Sequence, residues 1–231
     1  MPPAAALPTG QPRLDDALRT GGWPRGALAF LDANPGSGAT TLALGSLAAS
    51  QAGGGVVAWL DPGGSLDPAT ATRLGVALEW LLVVRPADAA EAVELAAWLA
   101  RDRSVDAFVL DLTDTDAPAG ASRALDRLAG LLVRSGGVGL LLGAPVARAV
   151  AGVRVELRRS AWLAVGADLV GQRVEVIVAR QRWALAGGRA ELDLFFAEGR
   201  RIDVQLRATA VPATAGAEVA AERPALRVVG A

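Results

Sequence analysis

Residues 30–44, Phe30-Leu-Asp-Ala-Asn-Pro-Gly-Ser-Gly-Ala-Thr-Thr-Leu-Ala-Leu44, decide how this chain is read. A short apolar run meets a Gly/Pro-rich turn, and a helix opens behind it. This is the outline of a phosphate-binding loop, in which backbone N–H groups cradle phosphates, a lysine neutralises their charge and a Ser/Thr hydroxyl holds Mg²⁺. Set against the pattern G-x-x-x-x-G-K-[ST], the first glycine position is Ala33, the second is Gly38, the lysine position is Ala39 and the hydroxyl position is Thr40. No lysine can stand in from elsewhere, because the chain has none and all 23 of its basic residues are arginine. The scaffold of a nucleotide site is present without its cation. Gly36, Ser37, Gly38, Ala39, Thr40 and Thr41 are the candidate residues of a vestigial loop, with the two glycines equally explained by turn geometry alone.

Working outward, alternating elements surround the loop. Ala27 to Leu31 reads as the first core strand, and Leu42, Ala43, Leu47 and Ala48 as the apolar stripe of the following helix, which ends near Gly53-Gly54-Gly55. Val56 to Leu60 is a continuous apolar run, the pattern of a strand covered on both faces. Pro68 to Leu74 predicts a short helix closed by Gly75, and Trp80 to Val84 another strand. Asp88 and Glu91 form a capping-box-like start to a helix carrying Ala92, Val93, Ala96, Leu99 and Ala100. Ala107 to Leu112 is a strand bearing Asp111, an acidic residue at the strand end where open α/β sheets place their sites. A helix over 121–134, with Leu125, Leu128, Leu132 and Val133 on one face, and a strand from Val138 to Leu142 complete the rhythm. Before the loop, a short helix is expected over Arg13 to Leu18, with Leu14, Ala17 and Leu18 on one face.

Beyond Pro145 only strand signals remain: Val153 to Leu157, Val174 to Val178 and Glu191 to Phe196. The fold class is therefore α/β, a mainly parallel twisted sheet flanked by helices and extended by C-terminal antiparallel strands. From Pro212 the chain is Ala/Pro/Gly-rich and loses periodicity, so residues 1–211 are read as one core that opens with an extended N-terminal segment, and 212–231 as a tail. Within the tail Glu218, Leu226 and Val228 belong to a mixed apolar and charged segment able to dock on a partner. The six tryptophans, Trp23, Trp59, Trp80, Trp98, Trp162 and Trp183, are expected to be mostly core.

Composition removes whole classes of chemistry. With neither Cys nor His, there is no thiolate or imidazole nucleophile, no zinc site of the usual kinds and no Ser-His-Asp machinery. A formal net charge of −1 lacks the general basicity of a nucleic-acid binder. No leader or membrane-spanning run is legible, and the expected location is the cytoplasm.

In order, spacing and turn residues, 7–50 (LPTGQPRLDDALRTGGWPRGALAFLDANPGSGATTLALGSLAAS) resembles the opening of the RecA ATPase core. VVAWLDPGGSLDPATATRLGV at 56–76 resembles the segment that carries that family's catalytic glutamate, and DRSVDAFVLDL at 102–112 its Walker B strand. VRVELRR, QRVEVIVARQRW and ELDLFFAEG, ending at Gly199, resemble its late antiparallel strands. The resemblance implies a RecA-like P-loop core in which the glutamate position is Gly63 and the sensor glutamine falls near Ala144-Pro145. It implies Asp111 as a Walker B-like residue, and places Arg180 and Arg182 where the family reaches a neighbour's nucleotide. Leu112 to Ala121 and Pro145 to Val153 are short where the family makes its DNA-binding loops, and the resemblance begins and ends with the core.

A core-only, catalytically degraded member of this superfamily is most similar to ImuA. That resemblance implies a non-catalytic adaptor or regulator in bacterial damage-induced translesion synthesis, a pseudo-ATPase with no expected ATP or Mg binding. The implied partners are an ImuB-like inactive Y-family polymerase, RecA itself and an error-prone replicative-type polymerase, with little or no DNA binding alone and no membrane. Two other readings stay open: a weak RecA-type or KaiC-type ATPase completed by arginines of a neighbouring subunit, and a SulA-like inhibitor of cell division.

Overall fold

The structure is a computed structural model that describes residues 6–113, 115, 120–196 and 226–230. Strand β1 (Leu28–Ala33) and helix α2 (Ala39–Ala52) enclose the glycine loop. Helix α1 (Pro12–Leu18) precedes them, capped by Arg19 in the left-handed conformation and burying Leu14, Ala17 and Leu18 as the sequence requires. After α2 come β2 (Val57–Leu60), α3 (Pro68–Arg73), a 3₁₀ turn (Leu78–Trp80) and β3 (Leu81–Val84). Then follow α4 (Ala89–Asp102), β4 (Ala107–Asp111), α5 (Ala121–Ser135), β5 (Val138–Leu142) and a second 3₁₀ turn (Pro145–Arg148). The chain closes with β6 (Val153–Val165), β7 (Asp168–Gln181), β8 (Arg189–Phe195) and β9 (Leu226–Gly230).

One sheet runs β3-β2-β4-β5-β1-β6-β7-β8, with β9 also paired to β6. From β3 to β6 every pairing is parallel, and from β6 to β8 every pairing is antiparallel, as is β6 with β9. The reason is connection length. Helical crossovers link β1 to β5, which forces parallel order, whereas β6, β7 and β8 follow one another through short turns that reverse the chain. Alternate side chains of the central strands feed two cores. Trp59, Val109, Leu140 and Val155 meet α1, α2 and α3 on one side, and Ala58, Phe108, Leu110 and Leu141 meet α4 and α5 on the other. Because both faces are covered, β2, β4 and β5 are buried along their whole length and read as apolar runs, with Asp111 closing β4.

Four expectations need correction. β6 and β7 are long hairpin strands, with register shifts at Arg154/Val155, Arg159/Ala161 and Leu163/Ala164. Their outer halves were illegible because Arg158, Arg159 and Ser160 are all exposed and break the alternation. The last residues are not all tail: Leu226–Gly230 pairs with Ala161–Val165. Glu218 lies outside the described residues. Only Trp23 and Trp59 are fully buried, Trp80 and Trp98 are exposed, and Trp162 and Trp183 are half-buried. Val133 is exposed as well, since Leu125, Leu128 and Leu132 alone fill the buried stripe of α5.

Candidate functional site

At the C-terminal ends of β1 and β5 the glycine loop lines a cleft of about 490 Å³ together with Thr113, Gly143, Arg148, Gln172 and Phe196. The turn is closed by the Ser37 N–H donating to the Asn34 carbonyl at 3.0 Å. Gly36 and Gly38 have φ of +75° and +87°, in the left-handed region that glycine adopts without strain. At Gly38 there is also no room: an added Cβ would lie 2.5 Å from Leu194 Cδ1 and 2.8 Å from Gln172 Nε2. At Gly36 the nearest atom is Arg159 Nη1 at 3.6 Å. Gly38 is the N-cap of α2 and contributes no side-chain hydrogen bond, so the first turn of this 14-residue helix opens toward the cleft. Ser37 is buried, Ala39 and Thr41 are half-buried and Thr40 is exposed. Ala39 brings a methyl group to the place where a cation is needed.

Arg148 lines the cleft, Arg159 reaches the loop at Gly36, and Arg180 lies beside Arg148; each has other work. Arg148, from the 3₁₀ turn after β5, forms a bidentate pair with Asp32 at the end of β1, at 2.8 and 2.9 Å. That hydrogen-bonded pairing raises the Arg148 pKa above its ordinary value. Arg159 on β6 lies over the Trp162 ring, 4.2 Å from its centroid, and donates Nη1 to the Gly36 carbonyl at 3.5 Å. Arg180 on β7 donates to the carbonyls of Ala149 at 2.6 Å and Arg148 at 3.4 Å. Arg182 lies just past the end of β7, exposed, its backbone N–H held by the Gly152 carbonyl.

The acidic side of the site is equally committed. Asp111 is 6% exposed; its Oδ1 accepts from the Thr113 backbone at 3.1 Å and the Thr113 hydroxyl at 2.6 Å. The Ser65 hydroxyl lies 3.3 Å from Asp111 Oδ2 and 3.4 Å from Asp61 Oδ1. Asp61, at the end of β2, also accepts from the backbone N–H groups of Ser65 and Leu66. The two carboxylates tie the loops after β2 and β4 together. Gly63, at the glutamate position, is exposed and carries no side chain, and Ala144, at the glutamine position, is buried and apolar. Leu226 and Val228, the interface candidates of the tail, are exposed on β9 and remote in sequence from the loop.

Of these features, the Asp32–Arg148 pair, the Arg159–Trp162 stack and the buried Gln172 were not legible in the sequence, because each depends on strands brought together by the sheet. Gln172 is 3% exposed and its Oε1 has no hydrogen-bond partner among the described residues. Asp61 could have been found by the same strand-end reasoning that singled out Asp111. Among the described residues no group of three or more His, Cys, Asp or Glu could hold a metal, and no helix is long and apolar enough to cross a membrane.

Comparison with known proteins agrees with this geometry. A family model described as the RecA N-terminal domain matches residues 3–121. Protein RecA of Mycolicibacterium gilvum is 32% identical, over 86% of this chain and 67% of that protein. Protein RecA of Leifsonia xyli subsp. xyli is 33% identical, over 85% of this chain and 65% of its own length. The chain thus spans about two thirds of the length of the curated relatives it matches.

Proposed function

The chain belongs to the RecA family, and from that premise we propose that it is a non-catalytic member, an ImuA-like adaptor that acts through protein partners in DNA-damage-induced translesion synthesis. The observation that carries this reading is the state of the loop: Ala39 stands at the cation position in a chain without lysine, and Gly63 at the position of the base. Asp111, which would hold the metal, spends its oxygens on Thr113 and Ser65. Hydrogen bonds to charged groups are worth about 1.5–3 kcal/mol, and a positioned general base roughly 10²–10⁴ in rate. Losing both leaves no route to useful turnover. The partners proposed are an ImuB-like inactive Y-family polymerase, RecA and an error-prone replicative-type polymerase, and the place of action is the cytoplasm.

The purified chain should show no ATP hydrolysis above background. Turnover that persists through further purification and disappears on Thr40→Val would favour a RecA-type or KaiC-type ATPase instead. Co-purification against ImuB, RecA and the division GTPase separates the remaining readings. Capture of the first two supports the adaptor, and capture of the GTPase alone assigns the chain to SulA-like inhibition.

A further inference from the structure

The β3 edge of the sheet is uncovered among the described residues. β3 is last in the strand order and pairs only with β2 among the described residues. Leu78, Trp80, Leu82 and Val83, in β3 and the turn that leads into it, are 42%, 59%, 45% and 39% exposed. Edge strands are ordinarily blunted by short length, inward charges, bulges or proline; β3 is only four residues long, but the run Leu81-Leu82-Val83-Val84 carries no charge, bulge or proline. Charge sits only at its two ends: Glu79 before it and Arg85 after it are exposed, and neither has an ion-pair partner among the described residues.

Backbone direction determines which groups are free. The Val84 carbonyl accepts from the Asp61 N–H, so Val84 and Leu82 direct their backbone groups to the β2 side, while Leu81 and Val83 direct theirs outward. We propose that this edge pairs antiparallel with β3 of a second copy of the same chain, about a two-fold axis midway between the two Leu82 residues. In that register Leu81 lies opposite Val83 of the second copy, so the outward N–H and C=O groups of both strands satisfy one another. Leu82 faces Leu82 of the second copy, and at each end the 3₁₀ turn that carries Glu79 and Trp80 comes beside Val84 and Arg85 of the second copy, which brings Glu79 near Arg85 twice.

The charges select this occupant. A parallel copy sets Glu79 beside Glu79, and an unrelated apolar segment satisfies the backbone but leaves both charges unanswered. The register also keeps the sheet faces in phase. Leu81 packs toward the Trp59 core and Val84 toward the α4 core, so a slip of one residue would set opposite faces against each other. The contact is a short strand with a small apolar border, so association in the range of tens of micromolar is expected. This pairing is independent of the partners proposed above.

Sedimentation velocity on the full chain, from about 1 to 200 µM, reads the association. The wild type should pass from monomer to dimer across that range. Glu79→Arg and Arg85→Glu should each weaken dimerisation roughly tenfold, and the double reversal should restore it to within about threefold of wild type. Leu82→Lys should abolish it. All three positions are exposed, so unchanged far-UV circular dichroism serves as the control for folding. A chain monomeric throughout the range, a dimer indifferent to Leu82→Lys, or a double reversal that stays weak would each overturn the proposal.

Discussion

At Gly38, conformation and crowding act together: φ is +87° and an added Cβ would overlap Leu194 and Gln172. Gly36 shares the left-handed backbone but has space around it. Gly38→Ala should therefore lower stability by about 2–4 kcal/mol, and Gly36→Ala by only about 1 kcal/mol. Chemical denaturation checks both values; equal costs would mean that crowding at Gly38 relaxes freely. A second residue-scale test concerns Asp15 in the first turn of α1. Its pKa is raised, chiefly by burial, although its Oδ1 accepts the Thr9 N–H at 2.9 Å. A carboxyl whose folded pKa lies above the unfolded one costs nothing below pH 3.8 and destabilises increasingly as pH rises through the folded pKa. Asp15→Asn keeps an acceptor for Thr9 without the half-buried charge. It should raise Tm at pH 7 and lose that gain at pH 3, as thermal melts at the two values will show.

Among elements, β9 is the one whose removal is most informative. Its five residues pair with Ala161–Val165, on the side of β6 that β1 occupies farther down at Val153–Leu157. Trp162 and Leu163 thereby gain cross-strand partners in Val229 and Val228. The two central cores contain no residue of β9, so a chain truncated after Val211 should still fold cooperatively. Hydrogen exchange should show lost protection confined to Ala161–Val165, whereas lost protection in β1 or β5 would show that β9 supports the central sheet. If the adaptor reading holds, the same truncation should weaken binding to the ImuB-like partner, since exposed Leu226, Val228 and Val229 leave with it.

For the whole molecule, charge placement matters more than charge count. The face of β6, β7 and β8 turned away from α1 and α2 carries many arginines, and four of them are answered locally by carboxylates. Arg173 binds Asp193 at 2.7 Å, Arg189 binds Glu175 at 3.1 Å, and Arg154 and Arg158 share Glu156. Such a face is a checkerboard, not the continuous positive groove that single strands require. Fluorescence anisotropy at about 0.15 M salt should detect no submicromolar binding of single-stranded DNA, and a tight, salt-sensitive isotherm would contradict this.

The succession of elements was legible because local physics writes it directly. Burial on both faces makes β2, β4 up to Asp111, and β5 apolar runs, glycine at Gly36 and Gly38 marks the loop, and a missing lysine is a fact of composition that no folding can repair. The α/β order and the damaged loop followed from these alone. Other features depend on which strands become neighbours, and adjacency is settled by crossovers over long separations in the chain. Trp80 is exposed because β3 falls at the sheet edge, although its run looks as apolar as β2. Arg148 meets Asp32 only because β5 lies beside β1, and Leu226–Gly230 becomes a strand only because β6 extends past β1 and offers free backbone groups. Local pattern measures how apolar a segment is, while the tertiary structure decides what lies on each side of it.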